Sequence, residues 1–414
     1  MNSKNTSNRI LSIDVLRGIS VLLMIFVNDA ASIQQVSWWF KHAGSTDDYM
    51  TIADFCFPLF LFLVGASVPL SLHRVSDQNY WLTAYHILTR TTSLLVMGLL
   101  MVNADSFGGN WRSGLWSFIM LSCFIIGWMD WPKGLAISAA SQSLIRISAM
   151  IALAFLAAYY KSNRGEWLTI QWWGILGLIG WAYLVTILCY ALSGGRQAGL
   201  VAAAAMLFAL YFADPAELLE RVRDRTWLGS LGPYLQEGAK LLLRIDSVVD
   251  FKTVIGPLGG CAVLGSILGK QILESRYCSV AETCRSTVYL VAGSFIAAVI
   301  YDAAYGINKI NATPAWILYS VSLSTVLWII LWGIVDRGGY HSGLQWLADI
   351  GANPLFAFLF VPCLLALLKV IGWNVWQQWG SEAWLHPLSR PLAVTLLVGA
   401  LTALLSRIGW RVKL

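Results

Sequence analysis

Charge is scarce in this chain. Of its 414 residues only 12% are charged and 57% are hydrophobic, and the mean hydropathy is +0.65. A soluble globular domain carries about 25% charged residues, so an ordinary water-soluble fold is excluded. Alternation is missing as well. Runs such as Ile19–Val27 and Leu355–Val370 are continuously apolar, whereas a transmembrane barrel needs strands of about ten alternating residues. The 28 Lys and Arg exceed the 22 acidic residues, giving a net charge of +6, but they are scattered singly. That scatter excludes a nucleic-acid partner and fits loop charges that orient helices. The seven cysteines form no CxxC pair, and Cys278 and Cys284 share a loop without a nearby histidine. Neither a disulfide framework nor a metal site is expected. No Walker loop, GxGxxG, HExxH or GxSxG elbow is present. No internal repeat is visible either, which argues against an inverted-repeat transporter.

What remains is a series of apolar stretches of about 20 residues, the length that spans a bilayer. The fold class expected is an all-α polytopic integral membrane protein, a bundle of about 10–12 transmembrane helices. The expected spans are 18–38, 52–72, 91–104, 114–130, 144–160, 173–192, 197–213, 252–270, 287–302, 314–334, 346–370 and 390–409. No cleavage site follows the first apolar run, so it is expected to be a retained span rather than a signal peptide. The short loops favour a cytoplasmic N-terminus by Lys and Arg placement, Arg17, Arg90, Arg146 and Lys270 among them. Residues 1–414 are expected to form a single transmembrane domain. The segment 214–252 is its one sizeable extracytoplasmic insert, either short amphipathic helices or a solvated loop.

The first two spans enclose the most informative polar stretch. It holds His42, Asp47 and Asp48, with Asn28 and Asp54 at its edges. His42 is one of five histidines, with His73, His86, His341 and His386. An ordinary loop imidazole is merely solvated. One near pKa 6.5 that is flanked by carboxylates is also suited to proton transfer or nucleophilic attack. Asp54 opens a strongly apolar run, where it either caps a helix or serves chemistry, and the two are compatible. Asp14 and Arg17 form D-x-x-R, an i, i+3 ion pair or, for Arg17 with Arg90, an anion site facing the cytoplasm. Asn308 and Lys309 lie in YGINKINATP before an outside-starting span, where Lys309 either snorkels or binds a sugar. Asn353 in GANP marks a backbone break before Pro354 and a position lining the bundle interior.

Several blocks carry a family resemblance. RILSIDVLRG at Arg9–Gly18, FVN at Phe26–Asn28, KHA at Lys41–Ala43 and ADFCFPLFLFLVG at Ala53–Gly65 resemble lysosomal heparan-α-glucosaminide N-acetyltransferase and its bacterial relatives. GINK at Gly306–Lys309, VDRGG at Val335–Gly339 and GANP at Gly351–Pro354 look like later landmarks of that family. The resemblance implies a membrane acyltransferase with acetyl-CoA as cytoplasmic co-substrate and no metal. The acceptor would be the amine of a terminal glucosamine, an amino sugar or a glycosaminoglycan fragment, on the other side. By the resemblance, His42, Asn28 and Asp54 are the catalytic positions. Arg17 and Arg90 then face the cofactor, and Asp47, Asn308, Lys309 and Asn353 face the substrate. The implied setting is a bacterial inner membrane, with homodimerisation a family-level expectation.

The resemblance leaves open whether the histidine carries acetyl or acts as general base. Two departures stand out. The large luminal N-terminal domain is expected to be absent, and the family's RIPGVLQR block is reduced to LIRI at Leu144–Ile147. The same topology also suits an O-acyltransferase of surface polysaccharide. A sugar transporter coupled through Asp54, Asp302 and Lys309 is the reading of a different class.

Overall fold

The computed structural model describes residues 10–75, 80–108, 111–132, 137–223, 232–275, 278–373, 379 and 387–413. Arg9, Arg276 and His386 lie outside these residues. The described chain is helical throughout, apart from one two-residue strand pair. The helices are α1 (Leu11–Ala30), α2 (Ile52–Val75), α3 (Tyr80–Asn103), α4 (Trp111–Gly127), α5 (Ala139–Ala158), α6 (Ile175–Leu192), α7 (Gln197–Ala213), α8 (Pro215–Arg223), α9 (Gly232–Val249), α10 (Gly259–Glu274), α11 (Val280–Tyr305), α12 (Pro314–Leu331), α13 (Gln345–Gly351), α14 (Pro354–Ile371) and α15 (Ser389–Ile408). Ten spans among the described residues are long and apolar enough to cross a membrane, α10 counted with the π-helical turns before it. An eleventh is added if α7 and α8, bent by 65°, are taken as one. The chain is a multi-pass, all-α membrane protein.

Long-range hydrogen bonds sort the loops to two ends of the bundle. At one end, Asn308 bonds Gly44 and Asp47, Asn103 bonds Thr169, and Arg390 bonds Asp29. At the other end, Lys270 bonds Gly195, Asn353 bonds Trp410, and β1 (Met129–Asp130) pairs antiparallel with β2 (Arg411–Val412). The first end carries His42 and the second lies beyond Arg17.

Three expected boundaries are corrected. The first span was expected at 18–38 and forms instead at Leu11–Ala30. Asp14 and Arg17 do not stop it, because they pair at 3.0 Å inside the bundle. Arg17 also donates to Ser67 Oγ at 2.7 Å and to the Gly351 carbonyl at 3.2 Å. The third span, expected at 91–104, begins at Tyr80, because Arg90 lies over the Tyr183 ring at 4.6 Å rather than ending the helix. The span expected at 346–370 is broken into α13 and α14. Pro354 opens α14 at its first turn, where a missing N–H costs nothing, and this forces the break at Ala352–Asn353. Of the two forms expected for the insert, helices form, as α8 and α9.

The core is assembled by close helix contacts. α2 and α10 approach so tightly that a Cβ on Gly65 would stand 1.9 Å from the Ala262 carbonyl oxygen. A Cβ on Gly269 would stand 2.1 Å from that of Ala66. Small residues let backbones meet where lipid offers no hydrophobic drive. α13 seats on α1 in the same way through Gly18 and Gly351.

Candidate active site

Asp54 is the anchor of the His42 end. It is the third residue of α2 from its N-cap Thr51, in a T-x-x-D arrangement. Thr51 Oγ1 accepts the Asp54 N–H at 3.4 Å, and Asp54 Oδ2 accepts the Thr51 N–H at 3.2 Å. This reciprocal capping satisfies the orphan donors at the helix start. The same Oδ2 accepts the Ala43 N–H at 3.1 Å and the Thr51 hydroxyl at 3.1 Å. The other oxygen, Oδ1, lies 2.8 Å from His42 Nδ1. The Asp54 side chain is 0% exposed and that of His42 is 36% exposed. Of the two roles open to Asp54, the geometry supplies both contacts, one on each oxygen.

Lys309 closes the cluster from a distant part of the chain. Its Nζ lies 2.9 Å from His42 Nδ1, 3.4 Å from Nε2 and 3.7 Å from Asp54 Oδ1. Burial pushes the Lys309 ammonium below the usual lysine range, and the nearby Asp54 carboxylate only partly offsets that. The loop bearing Lys309 is laced to the His42 loop. Asn308 Nδ2 donates to the Gly44 and Asp47 carbonyls, both at 2.8 Å, and its Oδ1 accepts the Asn311 N–H at 2.9 Å. Asp48 Oδ1 accepts the Ile307 N–H at 2.6 Å. Gly306 makes this possible with a φ of +66°. A Cβ there would stand 2.7 Å from the Asp48 carboxylate. Asp47 Oδ2 accepts the Gly44 N–H at 2.7 Å. Asn308 and Asp47 therefore set the loop's shape, and Lys309 alone of this group reaches the imidazole.

Two cavities run along α1 and α14 beside this cluster. The first, of about 400 Å³, is lined by Asp14, Arg17, Ser67 and Arg90. Arg90 Nε is buried with no hydrogen-bond partner among the described residues. The expected pairing of Arg17 with Arg90 at one mouth is thus met in space. The second, of about 990 Å³, is lined by Asn28, Asp29, Lys369 and Arg390. The two share Ile175 and Phe358 as wall residues. Asn28 is exposed to the second cavity, and its side chain has no hydrogen bond among the described residues. Beside it Asp29 Oδ2 pairs with Arg390 Nε at 2.9 Å, both nearly buried. That pair was not foreseen, because its halves are 361 positions apart.

His42 lines neither cavity, and no hydrogen bond joins it to Asn28. The three expected catalytic residues thus divide, with His42 and Asp54 in contact and Asn28 in the cavity alongside. Asn353 sits at the other end, buried. Its amide donates to the Trp410 carbonyl at 3.1 Å and accepts the Val412 N–H at 2.9 Å. It clamps the C-terminal strand there, away from His42. No cluster of three or more possible metal ligands occurs among the described residues.

Residues 9–112 match the family model described as heparan-alpha-glucosaminide N-acetyltransferase, catalytic. The chain is a relative of this family. Over 92% of its length it is 23% identical to the mouse heparan-alpha-glucosaminide N-acetyltransferase, spanning 56% of that protein. A stretch of 99 residues is 34% identical to the human protein of the same name, covering 23% of this chain and 14% of that one. The chain therefore spans about half the length of the mouse relative. The family-matched block contains Asn28, His42 and Asp54 together with Arg17 and Arg90. Lys309, the second contact of the imidazole, falls outside it.

Proposed function

We propose that this chain is a membrane acetyltransferase that moves acetyl from acetyl-CoA to the amine of a glucosamine or related amino sugar. In this reading the Arg17 end and the N-terminus are cytoplasmic, in a bacterial inner membrane, and the His42 end faces the acceptor. The observation that carries the proposal is the His42–Asp54 contact. A buried carboxylate at Nδ1 favours the tautomer with its proton there, so Nε2 is the acceptor. The Lys309 ammonium beside the ring then donates to Nε2 or Asp54 Oδ1, and must release Nε2 for the reaction. The family match around these residues supports the same reading.

The chemistry needs one proton and one acyl group moved. In direct transfer, the acceptor amine attacks the thioester carbonyl and a C–N bond forms as the C–S bond breaks. His42 Nε2 takes the amine proton, and coenzyme A leaves as the thiolate. In the two-step alternative, Nε2 attacks the carbonyl, the C–S bond breaks and coenzyme A leaves as the thiolate. The amine then attacks the acetyl-imidazole, the C–N bond to Nε2 breaks, and the amine proton passes to the released Nε2 or to the thiolate. Asp54 orients the ring in both cases. In this reading the Asn28 amide, whose side chain has no hydrogen bond among the described residues, donates to the developing oxyanion. The Arg17–Arg90 cavity supplies planar cations for the phosphates that cannot enter hydrocarbon. Tyr183 lies against Arg90, its ring centroid 4.6 Å from the guanidinium carbon.

The test is transfer of labelled acetyl from acetyl-CoA to glucosamine in proteoliposomes. His42→Ala is expected to lower transfer by about 10²–10⁴-fold. Equal activity of the variant and the wild type would overturn the assignment.

A further inference from the structure

A group of aromatic rings stands on the same loop as His42, outside every helix that is long enough to span. Trp38 and Trp39 occupy a single 3-10 turn, Trp38–Phe40. Their rings stack at 4.2 Å between centroids with 25° between planes. Tyr49 meets Trp38 edge-on at 5.6 Å and 84°. Trp38 is 52% exposed, Trp39 50% and Tyr49 41%. Large apolar side chains are exposed along many helices of this membrane protein, but these three rings lie on the loop that carries His42.

The rings are held rather than loose. Phe40 behind them packs edge-on against Phe26 of α1 at 5.3 Å. The Lys41 carbonyl accepts the Thr51 hydroxyl at 2.8 Å, and Lys41 Nζ donates to the Gln34 carbonyl at 2.8 Å. The Asp47 carboxylate lies beside the Tyr49 hydroxyl and pushes its pKa up. Neither indole N–H has a hydrogen-bond partner among the described residues. The group thus offers a π face, free N–H donors and a rim of carboxylates with ammonium groups. Asp47, Asp48 and Lys41 are the charged groups on the ring-bearing loop itself, whereas Asp54 is buried and engaged through both oxygens.

Those are the requirements of a pyranose ring. Its C–H face lies on an aromatic face, and its hydroxyls reach the rim. His42 is four positions beyond Trp38, which is at most about 14 Å of extended backbone. We propose that Trp38, Trp39 and Tyr49 form a carbohydrate subsite that holds the sugar next to the reacting amino sugar. This rests on the acetyltransferase reading for its kinetic consequence. The acceptor is then an oligosaccharide, and a monosaccharide leaves the rings empty.

The test compares a β-linked glucosamine oligosaccharide with free glucosamine as acceptors, for wild type, Trp38→Ala and Trp39→Ala. Wild type is expected to favour the oligosaccharide in kcat/KM. Each variant is expected to lose about tenfold of that preference while its rate with the monosaccharide holds. An unchanged preference overturns the subsite. So does an equal fall with both acceptors accompanied by a lower melting temperature, which would mark the rings as an anchor at the membrane interface. Titration of wild type with the oligosaccharide, followed by tryptophan fluorescence, needs no transfer. Quenching that is lost in Trp38→Ala supports the subsite even if acetyl transfer fails. Absence of quenching in wild type overturns it.

Discussion

Asp54 shows how one side chain serves fold and chemistry at once. Oδ2 completes the capping of α2 while Oδ1 holds the imidazole. The carboxylate cannot drift without unwinding a helix start. The sequence marked Asp54 as a cap at the start of an apolar run, and the structure adds Thr51 as its reciprocal partner. The tie to His42 was legible as proximity in the chain. Lys309 was legible as a charge at a loop, but not as the third member of the cluster, since its partner lies 267 positions away. Asn308 was read as a substrate ligand, and its amide is taken up by two carbonyls of the His42 loop. Backbone carbonyls leave no mark in a sequence. Lys309 carries a pH prediction. Its folded pKa lies below the unfolded value of about 10.4 because burial disfavours the charged form. Between the two values the unfolded chain binds more protons, so stability rises with pH through that window. Below the folded value the full cost of the buried charge is present. Thermal melting from neutral pH upward is therefore expected to favour wild type progressively over Lys309→Met. A difference that stays flat or shrinks with pH contradicts this. The contribution is diluted by the 26% exposure of the side chain.

At the scale of elements, apolar run length located the helices and misplaced their ends. The rule that a charge stops a span failed where the charge was paired, as with Asp14 and Arg17, or stacked, as with Arg90. The rule that Pro marks a break held at Pro354 and was not needed at Pro58 and Pro69, which sit inside α2. The connection between α11 and α12 is the element on which the site most depends. It turns at Gly306, whose φ of +66° and contact with Asp48 both disfavour a side chain. The Gly306→Ala variant is expected to lose about 1 kcal/mol or more from its backbone conformation. The Cβ also pushes Asp48 off the Ile307 N–H, so Lys309 moves relative to His42. Activity is expected to fall further than melting temperature does, when both are measured on the same detergent-solubilised preparation. A variant with a lowered melting temperature but wild-type turnover would show that the loop does not set the site. A parallel change at Gly339 is the comparison, since its φ is +67° but nothing lies within contact distance of an added Cβ.

At the scale of the whole molecule, the two cavities turn a set of local residues into a route. α1 lines the first with Asp14, Arg17, Val21 and Met24, and the second with Ile25, Asn28 and Asp29. These positions follow one another at helical spacing, so one stripe of α1 faces open space from end to end. α14 does the same on the facing side, with Phe358 common to both cavities. A thioester arm extended along this stripe would pass Phe358 before it reached Asn28. Apolar run length marked a first span but not a hollow beside it, because a cavity depends on what the other helices fail to fill. Phe358 is the residue through which the route is testable. Enlarging it to Trp narrows the shared wall without touching Arg17, Arg90, His42 or the acceptor side. For acetyl transfer in detergent, where both faces are open, Phe358→Trp is expected to raise the KM for acetyl-CoA about tenfold, or about 1.4 kcal/mol. The KM for the amino sugar is expected to stay as it was. A matched rise in both would mean the change disturbs the bundle as a whole. No rise in either would mean that acetyl reaches His42 by a path that bypasses the wall between Ile175 and Phe358.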